Sequence, residues 1–417
     1  MKLNFKIGQS SQDVEVKDEA LLGILEPNEV KVTLIDEPEV KRALENPIGS
    51  PRLKDIVKPG EKIAIITSDV TRPVATWKVM PALLDELYAG GAKKENITLY
   101  FALGSHRKQT DEERKHLAGD RAYAEIKCAD SDPDNCVHLG ETSRGTPIDI
   151  DKRVAEADRR ICIGNIEYHY FAGYSGGAKA IMPGVSTRAA IQANHSRMIQ
   201  PEACAGRLEG NPIREDIEEA AAKVGVDFII NTVQSPKKEI LKAVAGDITK
   251  AHREGCKFLD TLYRKTIPAR ADIVLVSQGG APKDLNLYQT QKALDNSKHA
   301  IKKGGVIILI GSCKEGLGEK TFEEWLTTAP DSHSLIDRIH REFKLGGHKA
   351  AAIAMVLENA EIYLVSDLED DFVKRLFMTP FKTVQEAYDA AVKKLGESAT
   401  VLAMPFGGST LPYCPEN

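Results

Sequence analysis

The chain is poor in cysteine and aromatic residues, and it carries no surplus of positive charge. Seven cysteines are spread over 417 residues, at Cys128, Cys136, Cys162, Cys204, Cys256, Cys313 and Cys414. They are odd in number, and no two stand at a Cys-x-x-Cys spacing. Neither a zinc ribbon nor a dithiol redox centre is therefore suggested, and reduced, buried thiols are expected. A net charge of −5 lacks the positive excess that neutralising phosphates requires, so nucleic acid is not an expected partner. No apolar run approaches the roughly 18 residues that span a bilayer. The stretch Met1-Lys2-Leu3-Asn4-Phe5 soon turns polar and has no signal-peptide core, so a cytoplasmic protein is expected.

What is present is an ordinary globular composition, 42% hydrophobic and 28% charged. The length exceeds one core of the usual size, and two domains are expected. Short apolar runs alternate with longer amphipathic stretches, the pattern of α/β domains with mainly parallel sheets. Lys62 to Thr67, Asn96 to Ala102, Arg160 to Gly164 and Asp227 to Val233 read as strands. Val79 to Tyr88, Thr110 to Leu117 and Glu215 to Val224 read as helices. After Lys265-Thr266-Ile267-Pro268, a plausible linker, a second cycle begins. Its strands are Asp272 to Ser277, Val306 to Ile310 and Ile362 to Val365, and its helices are Tyr288 to Lys302 and Lys349 to Glu358. The boundary is expected near residue 267: an N-terminal domain over 1–267, a C-terminal domain over 268–397, and a segment 398–417 that can return to the first domain.

Polar clusters fall at the carboxyl ends of these strands, where open α/β sheets bind ligands. Asp69-Val70-Thr71-Arg72-Pro73 offers an arginine able to grip a carboxylate through two parallel hydrogen bonds. A turn followed by a capped helix start fits the same residues. Gly104-Ser105-His106-Arg107 carries a histidine suited to acid–base work, although a surface-loop histidine has the same local pattern. The densest segment runs from Gly164 through His169 and Gly173-Tyr174-Ser175-Gly176-Gly177-Ala178-Lys179 to Gly184, with His195 beyond. Its glycines would let backbone amides approach a phosphate or cofactor. It is not a Walker A loop, because Ala178 and Ala180 replace that motif's second glycine and its Ser or Thr. A lysine in such a loop can bind phosphate or, when deprotonated, form a covalent link. Gln289 and Lys292, three apart on a helix, share a face and could meet a carboxylate or phosphate. A solvated face is the plainer reading of that pair.

Taken together, these segments resemble the nickel-dependent lactate racemase family over nearly the whole chain. The spacing from His169 to Lys179 and His195 is similar to its central motif, with GYSGGAKAIMPG the most specific part. The Asp69-x-x-Arg72-Pro73, Gly104-Ser105-His106-Arg107 and Tyr288-Gln289-x-x-Lys292 segments occur in the family's order. The resemblance implies two α/β domains with the active site in an interdomain cleft. It also implies a nickel-pincer nucleotide (pyridinium-3,5-bisthiocarboxylic acid mononucleotide nickel) attached covalently through Lys179, with His195 as the protein ligand to nickel. His106 and His169 would be the two acid–base residues. Arg72 and Lys292 would bind the substrate carboxylate, with Tyr288 and Gln289 lining the site. Asp69 would orient His106 or Arg72, and Ser175, Gly176 and Gly177 would cradle the cofactor phosphate. The implied reaction is racemisation or epimerisation of a 2-hydroxy acid by hydride transfer through a 2-keto acid. Lactate is the first candidate, and malate, another hydroxy acid or a sugar acid are alternatives. Cofactor-biosynthesis proteins would be partners in maturation. Two other classes compete: a zinc hydrolase built on His106, His169 and His195, and a carboxylate-binding protein without catalysis.

Overall fold

A computed structural model of the chain describes residues 1–72, 74–235 and 237–415. Pro73 of the Asp69–Pro73 cluster lies outside the described residues. The chain forms two compact units, one made of Val30–Asp260 and the other of Met1–Glu29 with Thr261–Asn417.

The Val30–Asp260 unit is built on six strands in the order Ile240–Gly246, Phe228–Gln234, Arg159–Asn165, Ile63–Ser68, Ile97–Ala102, Lys127–Asp130. All neighbours pair in parallel except Ile240–Gly246, which turns back antiparallel on Phe228–Gln234. The central run Ile63-Ala64-Ile65-Ile66 is buried on both faces, which is why it reads as continuous hydrophobicity rather than alternation. The helix Thr76–Ala89 lies on one side and puts Val79, Met80, Leu83, Leu84 and Leu87 into the same core as Ile63, Ile65, Leu99 and Ile161. The short helix Asp111–Ala118 starts on a complete capping box: Glu113 N donates to the Thr110 hydroxyl, and Thr110 N to the Glu113 carboxylate.

The second unit holds another six-stranded sheet, in the order Thr379–Phe381, Ala360–Val365, Ile301–Ile310, Ala271–Ser277, Val401–Met404, Leu21–Ile24, parallel throughout. An antiparallel hairpin, Lys2–Ile7 with Ser10–Glu15, covers one face with Leu3, Phe5, Ile7 and Val14.

These sheets divide the chain differently from the expected boundary. Residues 1–29 join the second unit, because Leu21–Ile24 pairs with Val401–Met404. Residues 398–415 also stay with the second unit: Val401–Met404 is flanked by Ala271–Ser277, and Leu411–Tyr413 pairs with Arg264–Thr266. The helix expected over 288–302 ends at Ser297, and the next strand starts at Ile301. All seven cysteines are free thiols, with Cys162, Cys256 and Cys313 buried. No helix among the described residues is long and apolar enough to cross a membrane.

Candidate active site

Three adjacent parallel strands, Arg159–Asn165, Ile63–Ser68 and Ile97–Ala102, deliver three of the expected clusters at their carboxyl ends. The loop after Ser68 is tied across its base by a buried hydroxyl pair, Thr67 to Thr76 at 2.7 Å. Asp69 is buried, and its Oδ2 lies 2.7 Å from His106 Nδ1, while its Oδ1 accepts from the Thr71 hydroxyl at 2.8 Å. Of the two partners expected for Asp69, its side chain thus meets His106. A carboxylate acceptor at Nδ1 holds the proton there and leaves the Nε2 lone pair available as a base. Gln109 links the two loops by accepting from Val70 N at 2.8 Å and donating to Asp130 at 3.2 Å.

The glycine-rich segment follows the third strand. Tyr168–His169 pairs with Gly173–Tyr174 as a short hairpin, and the Tyr168 and Tyr174 hydroxyls both donate to Asp260 Oδ1, at 2.7 and 2.8 Å. Gly173 has φ +76° and lies so close to the Arg207 carbonyl that a Cβ would overlap it. Ala172 N donates to His169 Nδ1 at 3.3 Å, so that nitrogen is an acceptor and a neutral ring carries its proton on Nε2. Burial first, then the charges of Lys179 and Arg72, hold the His169 pKa well below the usual histidine value, which keeps the ring neutral. The two histidines are therefore held in opposite states, Nε2 bare on His106 and protonated on His169.

Phe171 gathers the remaining groups of this unit. Its ring centre is 4.4 Å from that of His169 and 4.9 Å from that of His195, edge-on to both, and Lys179 Nζ sits 5.7 Å from it. Burial, then the charges of Arg72 and Arg214, push the Lys179 amine well below the usual lysine pKa. Arg214 is fully buried and donates from Nε to the Ala172 carbonyl at 3.2 Å and from Nη2 to that of Tyr174. Asn211, capping the helix Pro212–Val224, donates to the Phe171 carbonyl at 2.9 Å. The start of that helix thus fixes the backbone on which Phe171 and the hairpin stand.

His195 ends the helix Arg188–His195 and is buried. Its Nδ1 lies 2.8 Å from Asn194 Oδ1, and Asn194 Nδ2 in turn donates to Asp216 Oδ2 at 2.7 Å. The expected phosphate cradle is largely engaged with protein. The Ser175 hydroxyl donates to the Asn165 carbonyl at 2.5 Å and accepts from Glu167 N at 2.8 Å, while Gly177 N donates to Asn231 Oδ1 at 2.7 Å. Gly176, at φ +72°, passes so close to Asn231 that a Cβ would lie 2.7 Å from its Oδ1. These residues set the shape of the loop that carries Lys179.

In the other unit, Tyr288, Gln289 and Lys292 open the helix Leu287–Ser297, capped by Asn286, whose Oδ1 accepts from Gln289 N at 3.0 Å. Lys292 is exposed. The buried Lys349 donates to the Tyr288 carbonyl at 2.6 Å and holds its ammonium 4.1 Å from the centre of the Tyr288 ring. Sequence reasoning assigned no role to Phe171, Arg214, Asn194, Asp216 or Lys349. Phe171 and Asn194 lie within the span from His169 to His195 and were within reach; Arg214 and Lys349 act through backbone carbonyls, which leave no residue-type signature, and Asp216 through side chains distant in sequence. Among the described residues no three His, Cys, Asp or Glu side chains converge as metal ligands, so a zinc hydrolase, which needs three, has no site there.

The unit thus holds a carboxylate-oriented histidine, His106, and a second group in which His169, His195 and the weakly basic Lys179 surround Phe171. Residues 7–206 match the lactate racemase N-terminal domain and residues 266–411 the lactate racemase C-terminal domain. The chain is 37% identical to the lactate racemase of Thermoanaerobacterium thermosaccharolyticum across 97% of both chains. It is 34% identical to that of Lactiplantibacillus plantarum across 90% of both. The solved structure of the T. thermosaccharolyticum lactate racemase apoprotein superposes with a TM-score of 0.87 at 36% identity, over 99% of this chain and 100% of that one. A protein from Thermotoga maritima, 20% identical, shares the fold with a TM-score of 0.62, over 91% of this chain and 98% of that one. The chain belongs to the lactate racemase family and is an isomerase of the racemase type.

Proposed function

We propose that the protein racemises a 2-hydroxy acid, lactate in the first instance, with a nickel-pincer nucleotide carried on Lys179. The observation that carries this reading is the grouping of His169, His195 and Lys179 around the Phe171 ring. The residues fit the group. Covalent attachment needs a neutral amine, and burial drives the Lys179 pKa far down. A nickel site otherwise filled by two sulfurs and a ring carbon needs a single imidazole. His195 supplies one, with Nδ1 held by Asn194 so that Nε2 presents its lone pair.

When bound, the nucleotide supplies an acceptor for the Cα hydrogen as hydride, so that the hydroxy acid passes through a planar 2-keto acid. The chain's own residues do the rest. His106, with Asp69 on its far nitrogen, takes the hydroxyl proton at Nε2 in one direction. His169, entering the cycle as an imidazolium, gives its Nε2 proton to form the product hydroxyl and is left as the neutral ring that its burial favours, and the roles exchange in the other direction. Arg72 and Lys292 bind the carboxylate, which every 2-hydroxy acid shares, while Tyr288 and Gln289 line the pocket. The Asp69–His106 pair needs the carboxylate to balance the imidazolium formed in each cycle.

The test is a panel of single-enantiomer lactate, malate and sugar acids, assayed by chiral chromatography with enzyme from a host that makes the cofactor. Racemisation of lactate by preparations containing nickel and the expected sulfur supports the reading. Nickel-loaded enzyme that racemises no 2-hydroxy acid refutes it.

A further inference from the structure

We propose that Asn194 and Asp216 form a positioning relay that sets the tautomer and ring orientation of His195 as a metal ligand. The inference rests on the reading of His195 as the nickel ligand. Asn194 and Asp216 are both fully buried, and neither contacts the other expected site residues in the pattern of bonds they make. The amide of Asn194 can lie in only one sense. Its Nδ2 donates to Asp216 Oδ2 at 2.7 Å and to the Ile213 carbonyl at 3.3 Å, both of them acceptors without a proton to give. Its Oδ1 is thereby turned to His195 Nδ1, 2.8 Å away, which must carry the proton. A metal-bound imidazole depends on such an outer partner to fix which nitrogen faces the metal.

Asp216 is itself held rigidly. Its Oδ1 accepts from the Thr142 hydroxyl, its Oδ2 accepts from the Thr146 hydroxyl at 2.7 Å, and Arg197 Nη1 stands 3.9 Å from Oδ2. Arg197 also donates to the Thr146 hydroxyl at 3.1 Å. Three groups, Thr142 and Thr146 from the hairpin Cys136–Glu141/Pro147–Asp151 region and Arg197 from the segment after His195, therefore converge on one carboxylate that also accepts from Asn194. A buried network this fully satisfied rigidifies the groups within it. An amide between carboxylate and imidazole transmits orientation while keeping the negative charge one residue away from the ligand, so His195 stays a neutral donor.

The relay has a polarity that can be reversed. Asn194→Asp alone sets a second carboxylate against Asp216 and the Ile213 carbonyl with no donor between them, and the repulsion should displace it from its place beside His195. Asp216→Asn alone can present its own amide hydrogens to Asn194 and lets that amide flip its NH2 toward His195. The double variant Asn194→Asp/Asp216→Asn restores one acceptor for His195 and one donor–acceptor pair between the two positions. The readout is nickel retained per chain by holoenzyme during timed dialysis against EDTA, with Tm and the visible spectrum of the holoenzyme recorded alongside.

Each single variant should lose nickel about 10–100-fold faster than wild type, the usual effect of removing an outer-sphere partner. The double variant should regain most of that retention and the wild-type spectrum. A scaffold role alone would lower Tm in all three variants without the reciprocal rescue. Single variants that hold nickel like wild type overturn the relay, as does a folded double variant no better than the singles. Asn194→Leu, which removes both polar ends and preserves bulk, provides a variant with a separate folding risk and should also lose nickel quickly. His195→Ala is the control on the underlying reading. If it retains nickel normally, His195 is not the ligand and the relay falls with it; if it loses nickel while the relay variants do not, the relay alone is wrong.

Discussion

Replacing Asp69 by asparagine tests whether the acid–base pair works as the geometry implies. Asp69 is 2% exposed, and its Oδ2 is 2.7 Å from His106 Nδ1. A charge-assisted hydrogen bond of this kind contributes about 1.5–3 kcal/mol, or roughly ten- to a hundredfold in rate if it acts on the transition state. Asparagine can also offer its NH2 to Nδ1, which moves the ring proton to Nε2 and removes the base. The loss then approaches that of deleting the histidine, about 10²–10⁴-fold. Asp69→Asn should therefore fall between about tenfold below wild type and the level of His106→Ala, mainly in kcat. The assay is racemisation from each pure enantiomer, normalised to nickel per chain. The decisive arm is a double-mutant cycle: in a His106→Ala background, Asp69→Asn should cost almost nothing further. Full additivity would refute the reasoning and make Asp69 a residue of the loop that carries Arg72. Thr71→Ala, which removes the neutral donor on Asp69 Oδ1, should cost only about fivefold.

Lys179→Arg should yield no covalent adduct by intact-protein mass spectrometry, because a permanently protonated guanidinium is not an acylatable amine; an adduct in this variant would remove Lys179 from its role. In apoprotein, Lys179→Met should raise Tm at pH 7. The folded-state pKa is driven far below 10.5, so the unfolded chain binds the extra proton, and stability rises with pH until about the unfolded value. The gap between variant and wild type should accordingly shrink as pH approaches 10.5, and a constant gap would show the amine is not neutralised. Arg72→Lys should raise KM for the hydroxy acid about ten- to a hundredfold through loss of the two-pronged contact, whereas unchanged KM and kcat would leave Arg72 as a turn residue. His106→Ala and His169→Ala should each stop net racemisation yet differ in which enantiomer still releases a trace of 2-keto acid on acid quench; identical behaviour toward both enantiomers would end the scheme of one histidine per direction.

Much of the first unit was legible because its sheet is parallel and buried, so that Ile63–Ile66 and Arg159–Asn165 stand out as apolar runs ending in polar loops. The helix read over Thr110 to Leu117 stands at Asp111–Ala118, with Thr110 as its cap. The strand Ile301–Ile310 was read short because Lys302, Lys303 and Gly304 are exposed and look like a helix end. In the sheet Lys302 reaches Asp272 at 3.0 Å and is part of the strand. The pairing of Leu21–Ile24 with Val401–Met404 has no local mark, since partner choice between distant segments lies outside any periodicity. The site shows the same division. Strand-end logic pointed to Asp69, His106 and His169, but the grouping of His169 with His195 and Lys179 depends on Phe171 as a shared wall and on Arg214 holding carbonyls. A phenylalanine reads as packing and a carbonyl contact is open to any residue. The amides of the glycine-rich loop looked available in sequence, yet Asn231, 54 positions away from Gly177, engages one of them.

The strand Leu21–Ile24 is made long before its neighbour in the sheet, Val401–Met404. At typical synthesis rates of about 5–20 residues per second, the nascent chain carries this strand unmatched for roughly 20–75 s. The Val30–Asp260 unit, whose segments are contiguous, can mature on the ribosome during that wait, with Lys179 and His195 already in their loop. Leu3, Phe5, Ile7 and Val14 meanwhile lack the strands they cover. A chain truncated before residue 401 would thus carry a finished Val30–Asp260 unit beside a hairpin whose apolar face lacks part of its cover. The apolar face left waiting is that of the hairpin Lys2–Ile7 with Ser10–Glu15, far in sequence from Asp69, His106 and Lys179.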